Sequence, residues 1–377
     1  MLLTDKNHTD RPAILVQIIT PAERKLEEEH GQELLHLAEV AGYRVVFMVK
    51  QKITSPRPPY FIGKGKLEEV RDLAHLNKAR TVIFGVNTLS PSFKNRLEDF
   101  LKMRVVDRTQ LTLVIFEIHA SSRESKIQVE LARLQYELPR LRGRGEELSR
   151  LGGGIATRGP GEMEIEKERR IIRKRVSFLE KSIDNIMRNR KTLGQPRKRQ
   201  GFKLVAILGY TNAGKTSLFN LLTKSQFEVA PRAFTTLDPR IRFGYLGENI
   251  GAIFSDTVGF IRDLPLELFT AFKATLDEAK EADFLLLIVD ISQSSIEEHI
   301  SAIYKTLNAL GIQDKPSVLV ANKMDLLENP DIAINNLRMM YGGDIIGTST
   351  KTNAGIESLK ALLKKRLHHE KLFVSRS

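Results

Sequence analysis

The run FKLVAILGYTNAGKTSLFNLL, residues 202–222, carries three signals in succession. Leu204–Leu208 is an apolar stretch of strand length. Gly209-Tyr210-Thr211-Asn212-Ala213-Gly214-Lys215-Thr216 then fits G-x-x-x-x-G-K-[ST], and from Ser217 onward SLFNLL has helical spacing. A strand, a glycine loop and a helix in that order are the context in which the pattern reads as a phosphate cradle. Glycines let successive backbone N–H groups wrap a phosphate, and the following helix adds its positive N-terminal end. Lys215 then reaches the β- and γ-phosphates, and the Thr216 hydroxyl is a ligand for Mg²⁺.

Two further motifs follow at the ends of apolar strands. Asp256-Thr257-Val258-Gly259 closes GAIFS, forty residues after Thr216. A turn explains Asp-x-x-Gly alone. At this place the aspartate suits a water-mediated hold on Mg²⁺, and the Gly259 amide suits a γ-phosphate sensor. Asn322-Lys323-Met324-Asp325 closes SVLVA. A carboxylate at Asp325 accepts two hydrogen bonds from guanine N1–H and the 2-amino group, a pair that adenine lacks. Asn322 steadies the base and the neighbouring loop, while the Lys323 stem covers the ring. The bland alternative, a helix cap before LLENP, does not account for the other two motifs. In order, the three belong to a translation-factor-class GTPase and argue against a P-loop ATPase or small-molecule kinase. A dinucleotide fold is weak too, because Gly63-Lys-Gly65-Lys-Leu-Glu68 breaks G-x-G-x-x-G at its last glycine.

The strand candidates FKLVAIL, NIGAIFSD, DFLLLIVDI and PSVLVANK alternate with helical patterns, so residues 202–377 are expected to form a GTPase domain with a mostly parallel sheet. Residues 1–120 read as a separate α/β domain. AILVQII (13–19), YRVVFMV (43–49), TVIF (81–84) and RVV (104–106) are strands, with helices at about 22–41, 65–76 and 91–101. Thr20-Pro21 and Ser90-Pro91 each place a capping side chain before a first-turn proline.

Between the two lies a different pattern, residues 121–190. Ile127, Leu131, Leu134, Leu138 and Leu141, then Ile165, Ile172, Val176, Leu179, Ile183 and Ile186, keep a heptad frame, with Arg169 at one seam position. This predicts an antiparallel helical hairpin. Its join, residues 142–161, has seven glycines together with Arg142, Arg144, Arg150 and Arg158. A basic, flexible tip on a stalk can probe a nucleic-acid crevice; a plain connector has the same composition. Residues 191–201 continue a basic run with Gly194 and Pro196 and read as a linker, either solvated or in contact with RNA.

Composition agrees with a globular chain. Hydrophobic residues make up 41% and charged residues 28% of the 377 positions. No cysteine is present, which excludes disulfides, Cys-ligated zinc, iron–sulfur clusters and a thiol nucleophile. Lys+Arg 59 against Asp+Glu 46 gives +13, which points to a polyanionic partner, RNA before a membrane surface. The most apolar run, Phe284–Val289, is far shorter than the ~20 residues that span a bilayer, and no signal peptide is visible. A cytoplasmic monomer is expected, with at most peripheral membrane contact and no DNA partner. His368-His369 reads as solvated and not as a metal site.

The chain resembles the HflX family of ribosome-associated GTPases, in the Obg–HflX group. The residues that carry the resemblance are Tyr60–Lys66 (YFIGKGK), Asp107–Phe116 (DRTQLTLVIF), Lys126–Ala132, Gly153–Glu162, Gly209–Thr216, Phe234–Pro239 (FTTLDP) and Asp256–Arg262. The resemblance implies GTP and GDP binding, Mg²⁺, association with the 50S ribosomal subunit and separation of stalled or idle 70S ribosomes. It implies that the N-terminal domain and the helical hairpin contact ribosomal RNA near the peptidyl-transferase centre; Arg142, Arg144, Arg150 and Arg158, on the flexible tip, are the candidate contacts. Thr236, after Phe234 and Thr235, matches the switch threonine that ligates Mg²⁺ and faces the γ-phosphate, so catalysis falls to Lys215, Thr236 and Gly259. Ser349-Thr350-Lys351 matches the guanine-shielding loop, with Thr350 where alanine is usual; its backbone N–H can still reach guanine O6. Asn212 matches an asparagine that ligates K⁺ in related GTPases, although it can also simply shape the loop. Many GTPases place a water-orienting glutamine after D-x-x-G, but this chain has Phe260, whose ring cannot position water. Slow intrinsic hydrolysis and dependence on a partner or cation follow. A non-catalytic, GTP-switched RNA-binding protein and a nucleotide-driven RNA remodeller are the competing functions.

Overall fold

The computed structural model describes residues 11–141, 160–199, 202–227, 240–247, 250–256, 259 and 278–368. The chain divides into two compact units, the first running to Asn185 and the second taking up the chain from Ile186.

In the first unit, β1 (Arg11–Ile19), β2 (Tyr43–Lys52), β3 (Thr81–Phe84) and β4 (Arg104–Val106) form a parallel sheet of order β2-β1-β3-β4. The helices α1 (Glu27–Val40), α2 (Lys64–Leu76) and α3 (Pro91–Leu101) are the crossovers that such a sheet needs. Residues 13–19 of β1 and all of β3 are buried, so these strands read as continuous apolar runs. Both proline-led starts are present. Ser90 Oγ accepts from the Phe93 amide, and Thr20 bonds the Glu23 carboxylate through its amide and hydroxyl. Pro21–Leu26 is a 3₁₀ turn, so α1 proper begins only at Glu27.

The sequence pattern assigns no element to residues 108–119, which form α4 (Arg108–His119). Its β-branched, nearly all-round apolar sequence hides the helical period because Leu111, Leu113, Ile115 and Phe116 are all buried. Asp107 caps it by accepting from the Gln110 amide at 2.9 Å. The same fully buried carboxylate accepts from the Leu89 amide at 3.0 Å and the Tyr136 hydroxyl at 2.7 Å. Burial and the adjacent carboxylate push the Tyr136 phenol far above its usual range.

The heptad segments form a helical pair, α5 (Arg123–Glu137) and α6 (Pro160–Arg199). Leu131, Leu134, Leu179 and Ile183 are buried, and Arg175 grips Glu130 through two bonds of 2.7 and 2.8 Å. In the stretch read as a linker, α6 continues through Arg199, so residues 191–199 are helical backbone that includes Gly194 and Pro196. The hairpin tip, with Arg142, Arg144, Arg150 and Arg158, lies outside the described residues.

The second unit holds a sheet of order β10-β9-β8-β5-β7-β6, parallel except for the β6–β7 pair. Its strands are β5 (Leu204–Gly209), β6 (Arg240–Gly247), β7 (Ile250–Asp256), β8 (Phe284–Asp290), β9 (Ser317–Asn322) and β10 (Ile345–Gly347). Among the described residues its helices include α7 (Lys215–Thr223), α8 (Ile296–Leu310), α9 (Pro330–Tyr341) and α10 (Ile356–His368). Every residue of β8 is buried, which explains the run FLLLIVD. Because β5, β7, β8, β9 and β10 run parallel, Gly209, Asp256, Asp290, Asn322 and Gly347 all end on one edge. Among the described residues no helix is long and apolar enough to cross a membrane.

Candidate functional site

That edge is where an open α/β sheet binds ligands. After β5 the chain turns through residues 210–214 and enters α7 at Lys215. Asn212 is exposed and left-handed (φ 62°). Gly214 is left-handed too (φ 96°), and a Cβ there would fall on Asn322 Nδ2. Glycine is therefore required both by conformation and by the approach of β9.

Lys215 is buried, and its Nζ donates to the Tyr210 carbonyl oxygen at 2.7 Å. Burial lowers its pKa to about 8, opposed by the attraction of Asp256. A cation held this way gains strongly from a phosphate partner. Thr216 Oγ1 donates to Asp256 Oδ2 at 2.9 Å, with both residues buried. A hydroxyl and a carboxylate are hard oxygen donors, suited to Mg²⁺, which takes few protein ligands and fills its octahedron with phosphate and water. Among the described residues no three His, Cys, Asp or Glu side chains gather as a metal cage. Gly259 lies against the phosphate loop. A Cβ there would stand 2.7 Å from Lys215 Nζ and 3.0 Å from Thr211 Cγ2.

The Asn322–Asp325 motif turns out of β9 through Lys323, at φ 64°. Asn322 is buried and ties three segments together. Its Nδ2 donates to the Ala213 carbonyl at 2.8 Å and lies 3.4 Å from Thr350 Oγ1; its Oδ1 accepts from Thr348 Oγ1 at 3.2 Å and from the Thr350 amide at 3.1 Å. The amide expected to reach guanine O6 thus bonds Asn322 here. Asp325 is exposed, with Oδ1 accepting from Ser349 Oγ at 2.5 Å, so its carboxylate is oriented while still able to meet a base. Met324 is half-buried, and Lys351 is exposed.

The structure therefore brings together the phosphate loop, Asp256, Gly259, Asn322, Lys323, Asp325, Ser349 and Thr350. Phe234, Thr235, Thr236, Thr257, Val258 and Phe260 lie outside the described residues. Sequence reasoning missed three contributors. Thr348 is buried and satisfies Asn322. His299 stacks on Tyr210 at 3.8 Å between ring centroids. Asp290 pairs with Lys323 at 2.7 Å. Only Asp290 carried a signal, since it ends an apolar strand as Asp256 does.

Comparison with known proteins agrees with this geometry. Residues 28–117 match the family described as GTP-binding GTPase N-terminal, residues 119–197 the GTP-binding GTPase middle region, and residues 204–323 the 50S ribosome-binding GTPase family. A GTPase HflX of Caldanaerobacter subterraneus subsp. tengcongensis is 42% identical over 363 residues, covering 96% of this chain and 82% of its own length. GTPase HflX of Escherichia coli K12 is 35% identical over 366 residues, covering 97% and 85%. A solved chain, SsGBP in complex with GDP, superposes with a TM-score of 0.54 at 27% identity, covering 95% of this chain and 99% of that one. With a phosphate loop, a guanine-type loop and near full-length relatives all in agreement, the chain belongs to the HflX family of P-loop GTPases, a class that works with Mg²⁺.

Proposed function

We propose that this chain binds and hydrolyses GTP on the β5–β9 sheet edge, associates with the 50S ribosomal subunit and splits 70S ribosomes. The observation that supports the nucleotide half is the bond between Asn322 and Ala213, which joins the end of β9 to the loop before α7. In this reading the amides of Gly209–Ser217 hold the phosphates, Thr216 and Thr236 ligate Mg²⁺, and Asp256 reaches the ion through water. Lys215, Thr236 and Gly259 stabilise and sense the γ-phosphate. Asn322, Lys323 and Asp325 receive the guanine, with Ser349–Lys351 closing over it. Asn212, exposed and with a left-handed backbone, is the residue assigned to a K⁺ ion beside the phosphates.

Support for the ribosomal half is the match of residues 204–323 to 50S ribosome-binding GTPases, together with a net charge of +13. We assign residues 1–120 and the hairpin 121–190 to ribosomal RNA contact, with Arg142, Arg144, Arg150 and Arg158 at the tip. Residues 191–201 are the connection to the GTPase domain 202–377. The protein acts as a monomer in the cytoplasm. Phe260 leaves the water-orienting position to the ribosome, so hydrolysis is slow without it. The same residue favours one alternative, a switch that uses GTP only as a conformational ligand. Co-sedimentation with 50S, 30S and 70S particles in GDP, GTP and a non-hydrolysable analogue tests the proposal. Binding to 50S that strengthens with the GTP analogue is expected; equal binding in all nucleotide states would contradict it.

A further inference from the structure

Asp290 ends β8 on the same sheet edge as Asp256 and Asn322, and its Cα stands opposite that of Asn322 in the β8–β9 ladder. Only 5% of it is exposed. Its two carboxylate oxygens have separate tasks. Oδ1 accepts from the Ser292 amide at 3.0 Å and from the Ser292 hydroxyl at 2.6 Å, which shapes the turn after β8. Oδ2 faces Lys323 Nζ at 2.7 Å.

Lys323 is fixed at its other end by backbone. Its left-handed conformation is held between the Leu326 amide, which donates to the Lys323 carbonyl at 3.0 Å, and the Met324 amide, which donates to the Thr348 carbonyl at 3.1 Å. The Ile291 amide donates to the Asn322 carbonyl at 3.0 Å, which locks the two strand ends together. The backbone therefore sets where the side chain begins, and Asp290 sets where it ends. A lysine stem otherwise has among the largest rotamer entropies of any side chain, and a binding slot walled by one would have to pay that ordering cost at each encounter.

We propose that Asp290 is a positioning residue for nucleotide binding: by anchoring the Lys323 ammonium it holds the stem as a preformed wall of the guanine slot and slows nucleotide release. The proposal rests on the assignment of Lys323 to the guanine slot. In this arrangement Asp290 acts through Lys323.

The test is a double-mutant cycle read by release of a fluorescent GDP from the full chain. Asp290→Asn keeps Oδ1 as the acceptor for Ser292 and removes the charge facing Lys323, so the turn survives while the ion pair is lost. Lys323→Met breaks the same pair from its more exposed side. Each is expected to speed release about tenfold, the scale of lost preorganisation in one long side chain. The double variant should release no faster than Lys323→Met alone. Lys323→Arg, which restores a cation opposite Asp290, should recover part of the slow release, and Ser292→Ala should release like the parent. A purely structural role for Asp290 would instead make the two effects multiply, which overturns the proposal. Fast release in Lys323→Met with parental release in Asp290→Asn overturns it while leaving the guanine-slot assignment standing. Parental release in Lys323→Met overturns both.

Discussion

Asn322 Nδ2 donates to the Ala213 carbonyl oxygen at 2.8 Å, so a single side chain joins the end of β9 to the phosphate loop. Its Oδ1 is shared by Thr348 and the Thr350 amide. Asn322→Ala should therefore weaken GDP and GTP by a similar factor, because it loosens the phosphate loop and the guanine loop together. Leaving those buried donors unpaired also costs about 1–3 kcal/mol of stability. Calorimetric titration with both nucleotides, beside a thermal melt, checks this; full affinity in the variant would make the shared bond incidental.

Base choice is a separate matter. Asp325→Asn should lose roughly 2–4 kcal/mol of GTP affinity, since each hydrogen bond to a charged group contributes about 1.5–3 and the two do not simply add. It should accept xanthosine triphosphate, whose 2-oxo group suits an amide donor. Competition between the two nucleotides reads the switch directly, and unchanged preference for GTP would remove the guanine assignment.

Lys215 gives a pH dependence with a definite sign. Burial lowers its pKa to about 8 in the folded protein, against about 10.4 for an exposed lysine. Between those values the unfolded chain holds more protons, so the stability of nucleotide-free protein should rise as pH increases across that window. The penalty relieved is on the order of 3 kcal/mol. Nucleotide phosphates favour the ammonium form, so GDP affinity should fall over the same range. Lys215→Met should lose both trends. A nucleotide-free melting temperature with the same pH profile in parent and variant would contradict the buried-cation account.

The first unit offers a stability test of its own. Tyr136 donates to the fully buried Asp107, which also accepts from the Gln110 and Leu89 amides and pairs with Arg140 at 3.8 Å. Tyr136→Phe should cost about 1.5–3 kcal/mol, the value of a hydrogen bond to a charged acceptor. Chemical denaturation checks this, and GDP binding should be unaltered.

The phosphate loop, Asp256 and Asn322 were legible because each motif needs a strand before it, and those strands are short runs buried on both faces. Eight of the ten described strands were read from their apolar runs, but β6 and β10 were not: β6 leaves several side chains exposed and carries two arginines, and β10 has only three residues. Helix α4 was not, because burial on nearly every side of Leu111, Leu113, Ile115 and Phe116 removes the polar face that marks a helical period. The helical continuation of α6 beyond Arg188 was hidden by Gly194 and Pro196, which read locally as breakers. Thr348 belongs to no spacing rule, and the signal of Asp290, the end of an apolar strand, does not name its partner. Their parts come from strand ends and loops brought side by side by the parallel sheet, which local sequence does not encode.

The measurement that tests the central claim most directly is single-turnover GTP hydrolysis in K⁺ buffer, with and without a stoichiometric excess of 50S subunits. Phe260 follows Gly259 where a water-orienting residue would stand, and in the proposed function the missing group is assigned to the ribosome. The account predicts slow hydrolysis alone and an acceleration of roughly a hundredfold or more with 50S, the scale of one well-placed transition-state donor. The same rate in the presence and absence of 50S would contradict it.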